Sequence, residues 1–79
     1  MTVTVQLTST PIRVSNGSKA VHVTVKKGSK PFYAISATMP NKSAYHVLEE
    51  SVMNIGEGFS VWMWDANSYP IEITYSEAT

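Results

Sequence analysis

The most constraining feature of this chain is a period of two in its apolar residues. Ala20-Val21-His22-Val23-Thr24-Val25, Phe59-Ser60-Val61-Trp62-Met63-Trp64-Asp65 and Pro70-Ile71-Glu72-Ile73-Thr74-Tyr75 all alternate. Successive side chains of an extended strand point to opposite faces of a sheet, so this rhythm predicts half-buried β-strands. The opening Val3, Val5 and Leu7, set between Thr2, Thr4 and Gln6, adds another strand. Turn signals recur about every ten residues, which predicts an all-β fold. The expectation is a single domain over residues 1–79: a small antiparallel β-sandwich or partly open barrel of about seven or eight short strands.

The punctuation between strands is specific. Pro11 cannot donate a ladder hydrogen bond and separates the first strand from Ile12-Arg13-Val14. Ser15-Asn16-Gly17-Ser18 carries the Asn-Gly pair favoured in type I′ turns, so it predicts a hairpin into the valine strand. Lys27-Gly28-Ser29-Lys30 and Gly56-Glu57-Gly58 read as further turns, as does Ala66-Asn67-Ser68. The stretch 44–55 fits two patterns. Ala44, Val47, Leu48 and Ser51 make a helical stripe; the alternative is two short strands, 45–48 and 52–55, bent at 49–51, which the β-rich neighbours favour.

Length then limits stability. At 79 residues, a lone core supplies about 3–5 kcal/mol unless disulfides, metals or self-association reinforce it. There is no cysteine, and two histidines make a poor zinc site, so self-association is the expected reinforcement. Charged residues are 15 % of the chain, below the roughly 25–35 % of a typical solvated surface. Six cationic side chains balance six anionic ones, which speaks against nucleic acid, whose binders displace counterions with excess positive charge. All the cations precede Glu49 and all the acids follow from it, so complementary halves could pair between subunits or keep edge strands soluble. No apolar run reaches the roughly 20 residues of a membrane span, and residues 1–5 lack a signal-peptide pattern. Synthesis in a cytoplasm without membrane insertion is expected.

Catalytic chemistry finds no foothold. His22, His46, Asp65 and Glu49 have neither nucleophile elbow nor glycine-rich oxyanion turn near them. Glu49 and Glu50 are adjacent, so in an extended chain they diverge and cannot share a proton. The expectation is a protein that is not an enzyme and uses no cofactor and no metal. Asn16-Gly17-Ser18 and Asn41-Lys42-Ser43 match the glycosylation acceptor pattern, but without a secretory signal that match reads as chance.

Aromatic residues carry the more useful signal. In Val61-Trp62-Met63-Trp64 the two indoles share one strand face, while Phe59, Val61 and Met63 share the other. One small sandwich buries both faces only if something covers the second. Phe32, Tyr33, Tyr45, Trp62 and Trp64 are therefore the candidate interface residues. A carbohydrate platform of stacked tryptophans and an ordinary core are the competing readings of the same pair.

The order of these features has a further consequence. Pro11-Ile12-Arg13-Val14-Ser15-Asn16-Gly17, then the valine strand, then Lys27-Gly28-Ser29-Lys30-Pro31-Phe32-Tyr33-Ala34 precede Tyr45-His46-Val47-Leu48, a glycine turn and Val61-Trp62-Met63-Trp64. This succession resembles that of short all-β virion proteins of tailed bacteriophages, the head decoration or cement proteins and small tail or fibre components. The resemblance implies a non-enzymatic structural protein of the virion, a homo-oligomer and by the same resemblance a trimer, whose partners are itself and major capsid or tail proteins. A tail or fibre module that binds a carbohydrate or receptor, and a small inhibitor of a host protein, are the alternatives it leaves.

Overall fold

The computed structural model describes residues 2–26, 28–41, 43–65 and 71–78. They form β1 (Thr2–Leu7), β2 (Ile12–Asn16), β3 (Val21–Val25), β4 (Phe32–Ile35), β5 (His46–Val47), β6 (Val52–Ile55), β7 (Ser60–Trp64) and β8 (Ile71–Glu77). Two four-stranded antiparallel sheets, ordered β1-β8-β3-β6 and β2-β7-β4-β5, pack as an open sandwich, not a closed barrel. The ambiguous stretch 44–55 takes the strand reading, as β5 and β6. The expected turn at Ala66-Asn67-Ser68 lies outside the described residues.

Strand pairing has a simple nested rule. β1 pairs with β8, β2 with β7, β3 with β6 and β4 with β5, all antiparallel. The pairing is thus that of one long hairpin, innermost at β4 and β5, rolled so that successive rungs alternate between sheets. Eight strands wound this way in two sheets make a jelly roll. Only β4 and β5 are neighbours both in sequence and in one sheet.

That winding corrects the expected hairpin at Asn16-Gly17. β2 and β3 lie in different sheets, and the turn crosses between them. Asn16 stays in β2, and its Oδ1 accepts hydrogen bonds from the Ser18 backbone N–H at 3.0 Å and hydroxyl at 2.7 Å. Gly17 adopts positive φ, at 88°, while Asn16 is the last residue of an extended strand. Asn41 and Ser43 repeat the same local turn, with bonds of 3.0 and 2.6 Å. The two Asn-x-Ser matches are therefore side-chain-capped turns.

The core lies where alternation puts it. Leu7, Val21, Val23, Val25, Ile55, Ile71 and Ile73 come from one sheet and Val14, Val61 and Met63 from the other, with Leu48 between. Each is at most 7 % exposed. A surface of 5007 Å² is close to the roughly 4,700 Å² expected for a free-standing monomer of this mass. The chain covers its own core.

Opposite charges are brought level by the strand register. The β3–β6 register runs from Val21 opposite Ile55 to Thr24 opposite Val52, and the bond from Val25 N–H to Ser51 O at 2.9 Å continues it. Extended by two residues at each end, the same register sets Lys19 level with Glu57 and Lys26 level with Glu50. On the other side of β3, one step beyond Val25 opposite Ile73 sets Lys26 beside Glu72. A basic first half and an acidic second half are what a nested hairpin of this kind brings together. Segregation in sequence becomes alternation in space.

Candidate functional site

Three surfaces are available, and they differ sharply in chemistry. The outer face of the β1-β8-β3-β6 sheet is polar and self-satisfied. The Thr2 and Ser76 hydroxyls meet at 2.7 Å, those of Thr4 and Thr74 at 3.0 Å, and His22 Nδ1 lies 2.6 Å from Asn54 Oδ1. Such a face is well solvated and has little apolar area to bury.

The outer face of the other sheet is aromatic. Phe32 lies opposite Trp64, and Ala34 opposite Trp62. The ring of Tyr45 packs 4.5 Å from Phe32 and 6.1 Å from Trp64, measured between centroids. These neighbours leave Trp64 only 2 % exposed. The expectation that another subunit is needed to cover both indoles is therefore corrected for Trp64: its own chain covers it, because the rings of Phe32 and Tyr45 lie against it. Trp62 is half-buried, its Nε1–H donating to the Ser36 carbonyl at 3.0 Å, with the Arg13 guanidinium 5.7 Å from its ring centre. A flat two-tryptophan sugar platform is not formed. Of the other candidates, Phe32 and Tyr33 are half-buried, Tyr45 is exposed, and Tyr33 points to the inner face, stacking on His46 at 5.1 Å.

The third surface is a flank. The large apolar side chains exposed to solvent among the described residues are Ile35, Met39, Tyr45, Val47, Val52 and Phe59. All fall between the end of β4 and the start of β7. Strand order puts β5 and β6, the terminal strands of the two sheets, on this same side. Between β4 and β6 the sandwich opens into a groove of about 240 Å³, lined by Tyr33, Ile35, Met53, Ile55, Phe59 and Val61. Phe59 is held there by backbone ties: Ser15 Oγ donates to its carbonyl at 2.8 Å, and Gly58 N–H donates to Gly17 O at 2.9 Å.

Sequence reasoning reached Tyr45 among these exposed residues and did not single out Ile35, Met39, Val47, Val52 or Phe59 as candidates. Apolar residues on both faces of 32–37 predict a strand covered on both sides, yet Ile35, at the end of β4, is exposed. Among the described residues no three His, Asp or Glu side chains gather into a metal-binding group. The chain matches no protein-family model, no curated protein and no solved structure.

Proposed function

We propose that this protein is a non-enzymatic structural subunit of a bacteriophage virion, a decoration module that stabilises the head by packing its apolar flank on coat subunits. The observation that carries this reading is the confinement of the exposed large apolar side chains to the stretch Ile35 to Phe59, beside two terminal strands. Exposed large apolar side chains gathered in one stretch of a domain that already covers its own core are what a contact site requires. The jelly-roll winding, which recurs in capsid and lectin domains, is compatible with this role but assigns none, since one fold serves many functions. Homotrimers would attach three flanks at once, and the second and third attachments are effectively intramolecular.

The test is genetic and physical. Particles assembled with the gene intact are expected to carry many copies per head, and particles assembled without it to release their genome at a lower temperature. Particles that never contain the protein, or that are equally heat-stable without it, would rule the reading out.

A further inference from the structure

We infer that the free edge of β6 is a docking site for an extended polypeptide strand of a partner, one that alternates apolar and polar residues and carries a cationic side chain at each end. The inference deepens the proposed function: it rests on the flank being the contact surface, and not on the kind of particle.

β6 closes one side of its sheet, with β3 as its single strand partner. In an antiparallel ladder, residues alternate between those that exchange hydrogen bonds with the partner and those whose backbone groups point away. The bond from Val25 N–H to Ser51 O fixes the phase, so Met53 and Ile55 bond toward β3 while Val52 and Asn54 present N–H and C=O outward. Both are exposed. Among the described residues, two backbone donors and two acceptors are thus available for strand addition.

Side-chain chemistry names the occupant. A strand added beside β6 would set its inward residues over the groove walled by Met53, Ile55, Ile35 and Phe59, which calls for apolar residues at alternate positions. Glu49, Glu50 and Glu57 bracket the edge. A second β6 is disfavoured: antiparallel pairing centred on the strand, Val52 level with Asn54, would bring Glu49 against Glu57. The strand on the other side of β6 has a sequence pattern that matches this edge. β3 alternates apolar and polar residues between Lys19 and Lys26, and its register levels them with Glu57 and Glu50. The free edge offers the same charge pattern to a second strand of that type.

The probe is a capped eight-residue peptide with the sequence of residues 19–26, Lys-Ala-Val-His-Val-Thr-Val-Lys, titrated into the full-length protein and followed by amide chemical shifts and hydrogen exchange. Saturable binding is expected, with new protection at the Val52 and Asn54 amides. Replacing both peptide lysines by glutamate is expected to weaken binding by about tenfold, each cation–carboxylate contact being worth roughly threefold. Glu50→Lys with Glu57→Lys in the protein should invert that preference. Val52→Pro removes an outward N–H without touching the β3 ladder, and should abolish binding while melting close to wild type. No binding at millimolar peptide, equal binding of the charge-reversed peptide, or protection at β1 or β2 instead would overturn the inference. So would dimerisation of the protein through Val52. Because the peptide assay needs no particle, a negative result for virion incorporation would leave it intact.

Discussion

Phe32 and Trp64 are register partners across β4 and β7, their ring centroids 6.3 Å apart on the side of the sheet that faces away from the core. Trp64 is buried there as completely as many core residues, under Phe32 and Tyr45. The molecule thus has an aromatic cluster outside its central core, and it belongs to stability before it belongs to contact. Trp64→Ala is expected to cost about 3–5 kcal/mol, the range for emptying a large aromatic site. Trp62→Ala, at a half-buried position with one hydrogen bond, should cost about half as much. Chemical denaturation of both variants checks the order, and equal losses would contradict it.

Gly17 makes a second, local prediction. A Cβ added there would sit 3.6 Å from the Gly58 carbonyl carbon, in ordinary contact, so the cost comes from its φ of +88°. Gly17→Ala should destabilise by about 1–2 kcal/mol. Gly56 has an ordinary φ, and its added Cβ would meet the Phe59 ring at 3.7 Å. Gly56→Ala should therefore be neutral or stabilising by about 0.5 kcal/mol, through a less flexible unfolded chain. Thermal melts of the pair separate backbone strain from loss of space.

These positions also mark what could be read from the chain and what could not. Alternation correctly grouped residues by face: Val21, Val23 and Val25 apart from His22, and Val61 and Met63 apart from the indoles; the structure shows that the first member of each contrast is the inner one. That grouping needs only the two-residue period of a strand. Pairing partners were hidden, because β2 joins β7 and not its sequence neighbour β3. Asn16-Gly17 is a hairpin signal read locally, and the nested winding overrides it. The cover on Trp64 was hidden for the same reason. It depends on Tyr45, whose place is set by a strand of only two residues, β5.

Lys26 tests the charge register. It stands level with Glu50 on one side and Glu72 on the other, at the solvated surface, where such pairs contribute at most about 1 kcal/mol each. Lys26→Glu should lower stability in low salt, with the loss shrinking as salt is raised. Combining it with Glu72→Lys should recover part of that loss. A double variant no better than the single one would show that the two side chains do not interact.

The flank predicts a separation of stability from attachment. Phe59 is 50 % exposed and Val52 43 % exposed, so Phe59→Asp and Val52→Asp should change unfolding free energy by less than about 1 kcal/mol. Both are expected to remove the protein from purified particles. Normal incorporation of both variants, measured by quantitative mass spectrometry of particles, would move the contact surface elsewhere.

Amide hydrogen exchange, compared between the free protein and the protein on its particle, is the most direct measurement of where that contact lies. The account predicts new protection along residues 45–59, strongest at Val52 and Asn54, with the threonine-rich face of β1 and β8 unchanged. Protection gained at β1 or β2 instead, with the β5–β6 side still exchanging freely, would contradict it.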